Sequence, residues 1–145
     1  MKLTEHFTLE ELTESQIAVR HRLDNRPGPA ALANLRRLAA LLEQVRAVAS
    51  RPIAVSSGYR SPAVNAAVGG AGKSAHLLGL AADITAPGMT PKELARVVID
   101  AGVVFDQLIF EGTWVHIALS EGPPRGQVLT AVFVPGGVVY ERGIV

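Results

Sequence analysis

Two histidines and one aspartate are the residues whose types and spacing could do chemistry in this chain. His76 and Asp83 lie in the stretch SAHLLGLAAD, with six residues between them, and His116 lies further on in TWVHIAL. A catalytic zinc ion takes three nitrogen or oxygen ligands from the protein and keeps one position for water, so these side chains form a candidate set. The competing interpretation is that the histidines are hydrogen-bonded structural groups, because the His-x6-Asp spacing alone has little specificity.

The alternation of side chains along a strand predicts which face each of these residues lies on. In TWVHIAL, alternation puts His116 on one face of a strand and an apolar set on the other: Val115, Ile117 and Leu119. The apolar face belongs in the core, so His116 is expected to point into a cleft or towards solvent. Asp83 is expected on a rigid strand, and His76 on a loop that can close over a metal.

The order of elements predicts an α+β fold, with helices in the N-terminal half packed on a mainly antiparallel sheet. Thr8 and Glu11 form a capping box for a short helix, and apolar residues three or four apart predict a long helix over residues 30–50. Further helices are predicted at 61–67 and 90–101. Strands are predicted at residues 52–57, 80–85, 107–110, 114–119, 129–134 and 138–141.

Composition fits a single domain over residues 1–145. Hydrophobic residues make up 48% of the chain and charged residues 19%, which is typical of a globular protein. The net charge of +1 gives no general attraction to nucleic acid or to an acidic membrane surface. Cysteine is absent, which excludes disulfides, thiolate zinc sites and cysteine nucleophiles. The N-terminus lacks the apolar segment of a signal peptide, so we expect synthesis in the cytoplasm.

Three motifs in order resemble one family of zinc enzymes. SGYRSP at residues 57–62, SAHLLGLAAD at 74–83 and WVHI at 114–117 match the pattern S-G-[YF]-R, S-x-H-x-x-G-x-A-x-D and W-x-H of the LAS metallopeptidases. That grouping includes D-alanyl-D-alanine carboxypeptidases, phage L-alanyl-D-glutamate endopeptidases and hedgehog-type domains, and the opening HFTLEELTES resembles its small phage-like branch. The resemblance implies a hedgehog/D-Ala-D-Ala peptidase-like fold and one Zn²⁺ ion held by His76, Asp83 and His116.

The resemblance also implies roles for neighbouring residues. Arg60 resembles the family arginine that binds a substrate carboxylate or the scissile carbonyl, which suits the paired donors of a guanidinium; its competing role is a surface salt bridge. Tyr59 and Ser74 are expected to bind substrate by shaping the site. Gly79 is expected to allow a close backbone approach near the metal.

The general base is the least direct assignment. Many family members carry an acid three positions before the last histidine, but here that position is Thr113. If a hairpin joins the strands at 107–110 and 114–119, Glu111 lies opposite Trp114 and shares a face with His116. Glu111 is therefore the predicted catalytic base, although a glutamate before a turn glycine is usually only solvated. Asp106 is the alternative, predicted on the opposite face of its strand.

These residues predict a zinc metallopeptidase that cuts peptidoglycan stem peptides, as a monomer without nucleic-acid or membrane partners. The cut bond is either D-Ala–D-Ala or L-Ala–D-Glu, and the resemblance suggests a phage or prophage endolysin released by a holin-type route. Two alternatives stay open: a zinc-containing but inactive hedgehog-like binding module, and an interaction domain with purely structural histidines. His6 and His21 are interpreted as structural or solvated.

Overall fold

The computed structural model describes all 145 residues and confirms the α+β architecture. The helices are α1 (Leu9–Thr13), α2 (Gln16–His21), α3 (Pro29–Ala49), α4 (Pro62–Ala67) and α5 (Pro91–Asp100), with a 3₁₀ turn at Ala75–Leu78. The strands are β1 (Ala54–Ser57), β2 (Ala81–Thr85), β3 (Gln107–Phe110), β4 (Val115–Ala118), β5 (Gln127–Val134) and β6 (Gly137–Arg142).

Helix α3 is the scaffold of the core, as its spacing predicts. Pro29 lies in its first turn, where the missing amide costs no helical hydrogen bond. Its inward stripe is shielded from solvent at Leu35, Leu38, Leu42 and Val45. The stripe belongs to one core cluster with apolar residues of α5, β2, β3 and β4. The helix therefore supports the same strands that carry the candidate ligands on their other face.

The helix starts follow local sequence signals. Thr8 and Glu11 form the predicted capping box of α1, and Thr90 and Glu93 form a second one at the start of α5. These bonds satisfy amides that a helix leaves without partners in its first turn. No helix of the protein is both long enough and apolar enough to cross a membrane.

The six strands form a single sheet in the order β1-β2-β4-β3-β5-β6. Every neighbouring pair is antiparallel except β3 and β5, which run parallel. Ala118 at the end of β4 and Gln127 at the start of β5 both lie opposite Gln107, the first residue of β3. The connection from β4 to β5 therefore only has to pass the start of β3. Because β5 pairs with β3 from that point, it begins at Gln127 and not at the predicted residue 129.

The strands β2 and β4 separate a core side from a cleft side. Val115 and Ile117 of β4 are fully buried in the core, as is Ile84 of β2. His116 and Asp83 alternate with them and line a cavity on the opposite face. The predicted orientation of His116 is therefore confirmed, and it follows from alternation within one short strand.

A β-bulge in β1 extends the cleft side by one strand. Val55 pairs with Ile84, but Ser57 pairs with Asp83, so two steps along β1 match one step along β2. A bulge of this kind redirects the following side chain and is common beside functional sites. The hydroxyl of Ser56 donates to the main-chain carbonyl of Asp83 at 3.3 Å. Ser57 thus joins the face that carries Asp83.

Gly79 ends the 3₁₀ turn in a left-handed conformation with φ of +74°. A Cβ atom at this position would lie 2.7 Å from the carbonyl oxygen of Ala31 and 3.1 Å from Cγ of Leu35. The close approach is therefore to helix α3 and not, as predicted from the sequence, to the metal ligands. The side-chain amide of Asn34 donates to the main-chain carbonyl of Leu78 at 2.8 Å, which fastens the turn to the same helix.

We expect Gly79→Ala to lower the free energy of unfolding by more than about 2 kcal/mol, because the left-handed conformation costs a Cβ-bearing residue about 1–2 kcal/mol and the clash with Ala31 adds to it. Gly102→Ala is the matched control, since Gly102 has φ of +73° but open space around it. Urea unfolding of both variants measures the difference. Equal losses would show that the contact with α3 contributes nothing.

Candidate metal centre and active site

Two adjacent strands bring Asp83 and His116 together. The two residues lie directly opposite each other in the antiparallel pair of β2 and β4, and Nδ1 of His116 is 3.3 Å from Oδ1 of Asp83. Directly paired residues share one face of a sheet. The ladder between the strands therefore fixes this pair of side chains before any ion is considered.

His76 reaches the same carboxylate from the 3₁₀ turn. Its Nε2 atom lies 3.3 Å from Oδ1 of Asp83. Its other ring nitrogen, Nδ1, lies 2.7 Å from the carbonyl of Gly58, so Nδ1–H donates there and the ring is oriented with Nε2 towards the carboxylate. The amide of His76 donates to Oγ of Ser74 at 3.2 Å, and its carbonyl accepts from the amide of Arg60 at 3.0 Å. His76 is therefore held in a hydrogen-bonded 3₁₀ turn in this structure, and closure of this segment over a metal stays a prediction.

Gly58 links this histidine to the N-terminal part of the chain. The space where its Cβ would lie is occupied by the backbone of Leu12 at the end of α1, so only glycine lets the two segments approach. The amide of Tyr59 donates to the carbonyl of Leu12 at 2.8 Å. The glycine of the SGYR motif thus positions the carbonyl that orients the ring of His76.

The three side chains fit a zinc ion. Ligand atoms about 2.0–2.1 Å from a tetrahedral ion lie about 3.3 Å apart, which is the separation of Asp83 Oδ1 from both ring nitrogens. The donor atoms of His76, Asp83 and His116 all lie within 4.8 Å of one another. Two imidazoles and one carboxylate are a donor set that catalytic zinc sites use. The site is therefore compatible with a metal ion on the grounds of spacing and of donor chemistry.

The electrostatics of Asp83 keep it ionised. Burial raises the pKa of a carboxyl group, but the hydrogen bonds with His116 and His76 outweigh burial and hold the pKa of Asp83 well below its usual range. A metal ligand has to be deprotonated. The carboxylate is thus available as a ligand throughout the neutral pH range.

Arg60 supports the second oxygen of the same carboxylate. Its Nη2 atom lies 3.7 Å from Oδ2 of Asp83. Its Nε donates to Oγ of Ser57 at 3.2 Å, and its Nη1 donates to Oδ1 of Asn65 at 3.2 Å. Arg60 lines the cavity that contains the three candidate ligands. It is therefore no surface salt bridge, and part of its donor capacity is committed to the protein.

Asn65 supports the site but lies outside the three sequence motifs. It is buried in α4, at 4% exposure, and accepts the bond from Arg60. Its amide nitrogen donates to the carbonyl of Ala71 at 2.9 Å. An asparagine inside the apolar stretch PAVNAA was the available signal, because a buried polar side chain needs hydrogen-bond partners.

Glu111 lies on the predicted side of the hairpin between β3 and β4. Ile109 pairs with His116, and the amide of Glu111 donates to the carbonyl of Trp114 at 3.0 Å, which confirms the predicted register. The indole Nε1–H of Trp114 donates to Oε2 of Glu111 at 2.6 Å. Glu111 lines the same cavity as the three candidate ligands. The assignment of Glu111 as the base stays a prediction, but its carboxylate is oriented towards a definite partner.

Asp106 also lines this cavity, which the prediction of the opposite strand face did not anticipate. It lies just before β3, and its carboxylate binds the guanidinium of Arg125, with Arg125 Nη2 2.8 Å from Oδ2 and Nε 3.1 Å from Oδ1. The hydrogen bond from Arg125 lowers the pKa of Asp106. The pair fastens the connection from β4 to β5 where that connection passes β3. Asp106 is thus a structural anchor and a poor candidate for the base.

The remaining predicted residues separate into two groups. Ser74 lines the cavity and caps the turn that carries His76. Tyr59 does not line it: the residue is 7% exposed, belongs to the core cluster and borders a separate cavity beside the start of α2. His6 bonds Glu43 on the protein surface at 2.7 Å, and His21 is exposed in the last turn of α2. Neither histidine belongs to the metal centre.

The cavity that these residues line has a volume of about 520 Å³ and is open to solvent. Its floor is the cleft side of β2, β4 and β3, and its walls come from the 3₁₀ turn and from the segments that carry Arg60 and Glu111. The volume is in the range of small-molecule and peptide sites. A metal centre at the base of an accessible cavity is an arrangement that can hydrolyse a bound amide.

Comparison with protein families gives one match. The family described as Peptidase M15 matches residues 5–118 of the chain, a span that includes the three candidate ligands, Arg60 and Glu111. No curated protein matches the chain. The predicted resemblance to the zinc metallopeptidases is confirmed at the level of this family, and placement in the small phage-like branch stays a prediction.

We expect His76→Ala and His116→Ala each to weaken zinc binding by more than about 100-fold, since even the loss of a residue behind a ligand costs about 10–100-fold. The wild type should bind one zinc ion per chain. His21→Ala is the matched control and should bind one ion as well. Zinc titration followed by elemental analysis of the dialysed proteins measures this. Unchanged zinc content in the His116 variant would contradict the proposed ligand set.

Arg125→Met is expected to destabilise the protein by less than about 1 kcal/mol, because Arg125 is largely exposed, and in a pH-dependent way. The pKa of Asp106 is lower in the folded state than in the unfolded state. The ion pair therefore contributes to the free energy of unfolding at pH values above the unfolded-state pKa, and this contribution disappears as the pH falls through the folded-state pKa. The difference in unfolding free energy between wild type and variant should therefore shrink below about pH 4. Urea unfolding between pH 7 and pH 3.5 measures it, with Arg20→Met as control. A difference independent of pH would contradict the assignment.

Proposed function

The chain belongs to the peptidase M15 family, and on that premise we propose that it is a zinc-dependent hydrolase of an amide bond in peptidoglycan stem peptides. Family membership makes the protein a metallopeptidase, and its His-Asp-His group is compatible with the metal that such enzymes use. The observation that carries the proposal is the convergence of three donor atoms in one open cavity with an arginine and a glutamate.

Three side chains of the protein would hold the zinc ion, and a main-chain carbonyl would orient one of them. When bound, zinc polarises a carbonyl group and lowers the pKa of a water molecule. His76, Asp83 and His116 would hold the ion, with Asp83 kept ionised by its two histidine neighbours. The carbonyl of Gly58 keeps Nε2 of His76 directed at the site.

Glu111 would act as the general base and later as the general acid. Its carboxylate accepts a proton from the attacking water and afterwards gives it to the nitrogen of the leaving amine. The hydrogen bond from Trp114 restricts the carboxylate to one orientation at the cavity wall. Proton transfer needs such a fixed geometry, since donor and acceptor have to approach within hydrogen-bond distance.

Arg60 would stabilise negative charge on the carbonyl oxygen of the scissile amide. Its bonds to Ser57 and Asn65 fix the guanidinium plane beside Asp83, and the N–H groups that make no internal bond remain for a substrate oxygen. A donor held in place before the reaction stabilises developing charge without the cost of reorganisation. This role follows from the position of Arg60 next to the candidate ligands.

The cut bond is either D-Ala–D-Ala or L-Ala–D-Glu. On either substrate, the protein would be a monomeric cell-wall lytic enzyme of phage or prophage type that reaches the wall through a holin-type route. The cavity volume of about 520 Å³ is in the range of sites that bind small molecules and short peptides, which supports a peptide substrate.

An inactive, zinc-containing binding module is the second candidate function. Thr113 stands where many relatives carry an acid, and loss of that acid is the change expected of a hedgehog-like module. Zinc analysis together with hydrolysis of purified peptidoglycan separates the two. Bound zinc without released muropeptides would favour the binding module.

We expect Glu111→Gln to retain one zinc ion and to lose at least about 100-fold in the rate of hydrolysis, because general acid–base catalysis contributes about 10²–10⁴-fold. Mass spectrometry of muropeptides after incubation with the zinc-loaded protein measures the rate and identifies the bond. Glu121→Gln, at an exposed position in the β4–β5 connection, is the matched control. A near-normal rate for the Glu111 variant would refute its role as the base.

A further inference from the structure

The C-terminal hairpin of β5 and β6 carries a group of exposed apolar side chains. Phe133 is 65% exposed and Tyr140 is 52% exposed, and Val138 and Val139 are exposed as well. The family match ends at residue 118, so this hairpin lies outside the matched segment. Apolar side chains that gather at a surface mark sites where a ligand or a partner binds. The hairpin is therefore a candidate binding surface beyond what family membership explains.

Part of this group lies on the cleft side of the sheet. Ile109 of β3 lines the cavity of the metal centre, and Leu129 of β5 pairs with it, so both lie on the cleft side. Every second residue of a strand shares a face, which places Ala131 and Phe133 on the same side. Tyr140 pairs with Ala131 and lines the cavity as well. The exposed rings are thus continuous with the cavity.

Ala131 forms the floor of a trough between Glu111 and Tyr140. Phe110 pairs with Thr130, and Glu111 and Ala131 follow these two residues directly, so they lie at the same level of the sheet. Ala131 has only a methyl group and is 7% exposed. Strand β6 is two strands beyond β3, and neighbouring strands lie about 4.7–4.9 Å apart, so the backbone of Tyr140 lies roughly 9–10 Å beyond that of Glu111.

A second ring borders the trough beside the turn that follows Glu111. A Cβ atom at Gly112 would lie 3.6 Å from Cε2 of Phe133, so the ring of Phe133 lies against this turn. Phe133 and Tyr140 are diagonal neighbours on one face of the hairpin, within reach of a common ligand. The trough therefore has an acidic end at the metal centre and an aromatic end on the hairpin.

The trough lies on the side of the metal centre to which the leaving part of a substrate extends. In the proposed mechanism, Arg60 binds the scissile carbonyl and Glu111 protonates the leaving nitrogen. Arg60 follows β1, at one edge of the sheet, whereas Glu111 follows β3, which lies next to β5. The chain that continues from the leaving nitrogen is therefore directed towards β5 and β6.

Only one of the two candidate bonds has a leaving group that reaches Tyr140. A cut at D-Ala–D-Ala releases a single residue, which ends beside Glu111. A cut at L-Ala–D-Glu releases D-Glu together with the residues that follow it, and the chain continues through the D-Glu side chain to the third stem residue, a diamino acid such as L-Lys. About six covalent bonds separate the scissile nitrogen from the α-carbon of that residue, or about 7–8 Å of extended chain. Its side chain then falls within the trough.

We propose that Ala131, Phe133 and Tyr140 bind the aliphatic side chain of the third stem residue and so direct the enzyme to the L-Ala–D-Glu bond. The inference rests on the proposed function and deepens it by naming a recognised group and the bond that follows from it. Aromatic rings offer large apolar surfaces, and long charged side chains bury their methylene groups while the charged end stays in water. Tyr140 is a specificity-determining residue in this proposal and takes no part in the chemical step.

Stem pentapeptides that differ at the third residue test this recognition. N-acetylated L-Ala–γ-D-Glu–X–D-Ala–D-Ala is made with L-Lys, L-norleucine or L-Ala at position X, so that each peptide contains both candidate bonds. The zinc-loaded wild type should cut at L-Ala–D-Glu and should favour the L-Lys and L-norleucine peptides over the L-Ala peptide about tenfold in kcat/KM, as expected for about two buried methylene groups. Mass spectrometry of the products identifies the bond and measures the rates.

Variants of the hairpin assign the preference to the aromatic ring. Tyr140→Ala should lower kcat/KM for the L-Lys and L-norleucine peptides about tenfold and leave the L-Ala peptide unchanged, because only the longer side chains contact the ring. Tyr140→Phe should retain the preference, since the ring remains. Val139→Ala is the matched control, because Val139 is 51% exposed on the same strand but lies on the opposite face.

The outcomes distinguish failure of this inference from failure of the proposed function. Cleavage of none of the peptides by the wild type would overturn the proposed function, and the inference with it. Cleavage at D-Ala–D-Ala, equal rates for all three peptides, or an unchanged preference in Tyr140→Ala would overturn the inference and leave the hydrolase intact. A norleucine peptide as slow as the L-Ala peptide would show that charge is recognised and would also overturn it. Loss of the preference in Tyr140→Ala and its retention in Tyr140→Phe would support it.

Discussion

The site depends on one buried carboxylate that serves several partners. Oδ1 of Asp83 lies 3.3 Å from a nitrogen of each candidate histidine ligand, and Oδ2 faces Arg60. A carboxylate removed from water is costly unless cations or donors surround it. His76, His116 and Arg60 are those partners, so the groups that stabilise Asp83 in the folded protein are also two candidate metal ligands and the proposed carbonyl-binding arginine.

Backbone geometry supplies most of the precision around this carboxylate. The ladder between β2 and β4 places His116 opposite Asp83, and the bulge in β1 turns Ser57 towards the same face. His76 comes from outside the sheet and therefore needs its own supports, which are the carbonyl of Gly58 and the capping hydroxyl of Ser74. Strands hold two of the candidate ligands and a hydrogen-bonded turn holds the third, and such support is what a metal site needs to keep its geometry.

Local signals in the sequence predict the parts of this arrangement that depend on local geometry. Alternation in TWVHIAL separates His116 from the core, and the short hairpin fixes the register that puts Glu111 on the same face. The capping residues of α1 and the apolar stripe of α3 are likewise local, and the structure confirms them.

Contacts between residues far apart in the chain explain why some features of the fold and of the site could not be predicted from the sequence. Asp106 looked like a free acid because its cation, Arg125, follows nineteen residues later in an irregular segment. Tyr59 was expected at the site, but its amide bonds the end of α1 and the residue belongs to the core cluster. The parallel pairing of β5 depends on where the preceding connection crosses the sheet, which no periodicity reports. In each of these cases the deciding contact joins segments with no local signal in common.

The contact between Gly79 and helix α3 connects the candidate metal centre directly to the core of the protein. One side of α3 fills the interior with Leu35 and its neighbours, while Ala31 and Asn34 abut the turn that carries His76. A helix transmits displacement along its length almost undiminished, because close-packed interiors have little room to absorb strain. Exchanges of the buried leucines of α3 are therefore expected to shift the turn that carries the imidazole of His76, although these leucines lie on the opposite side of the turn from the ring.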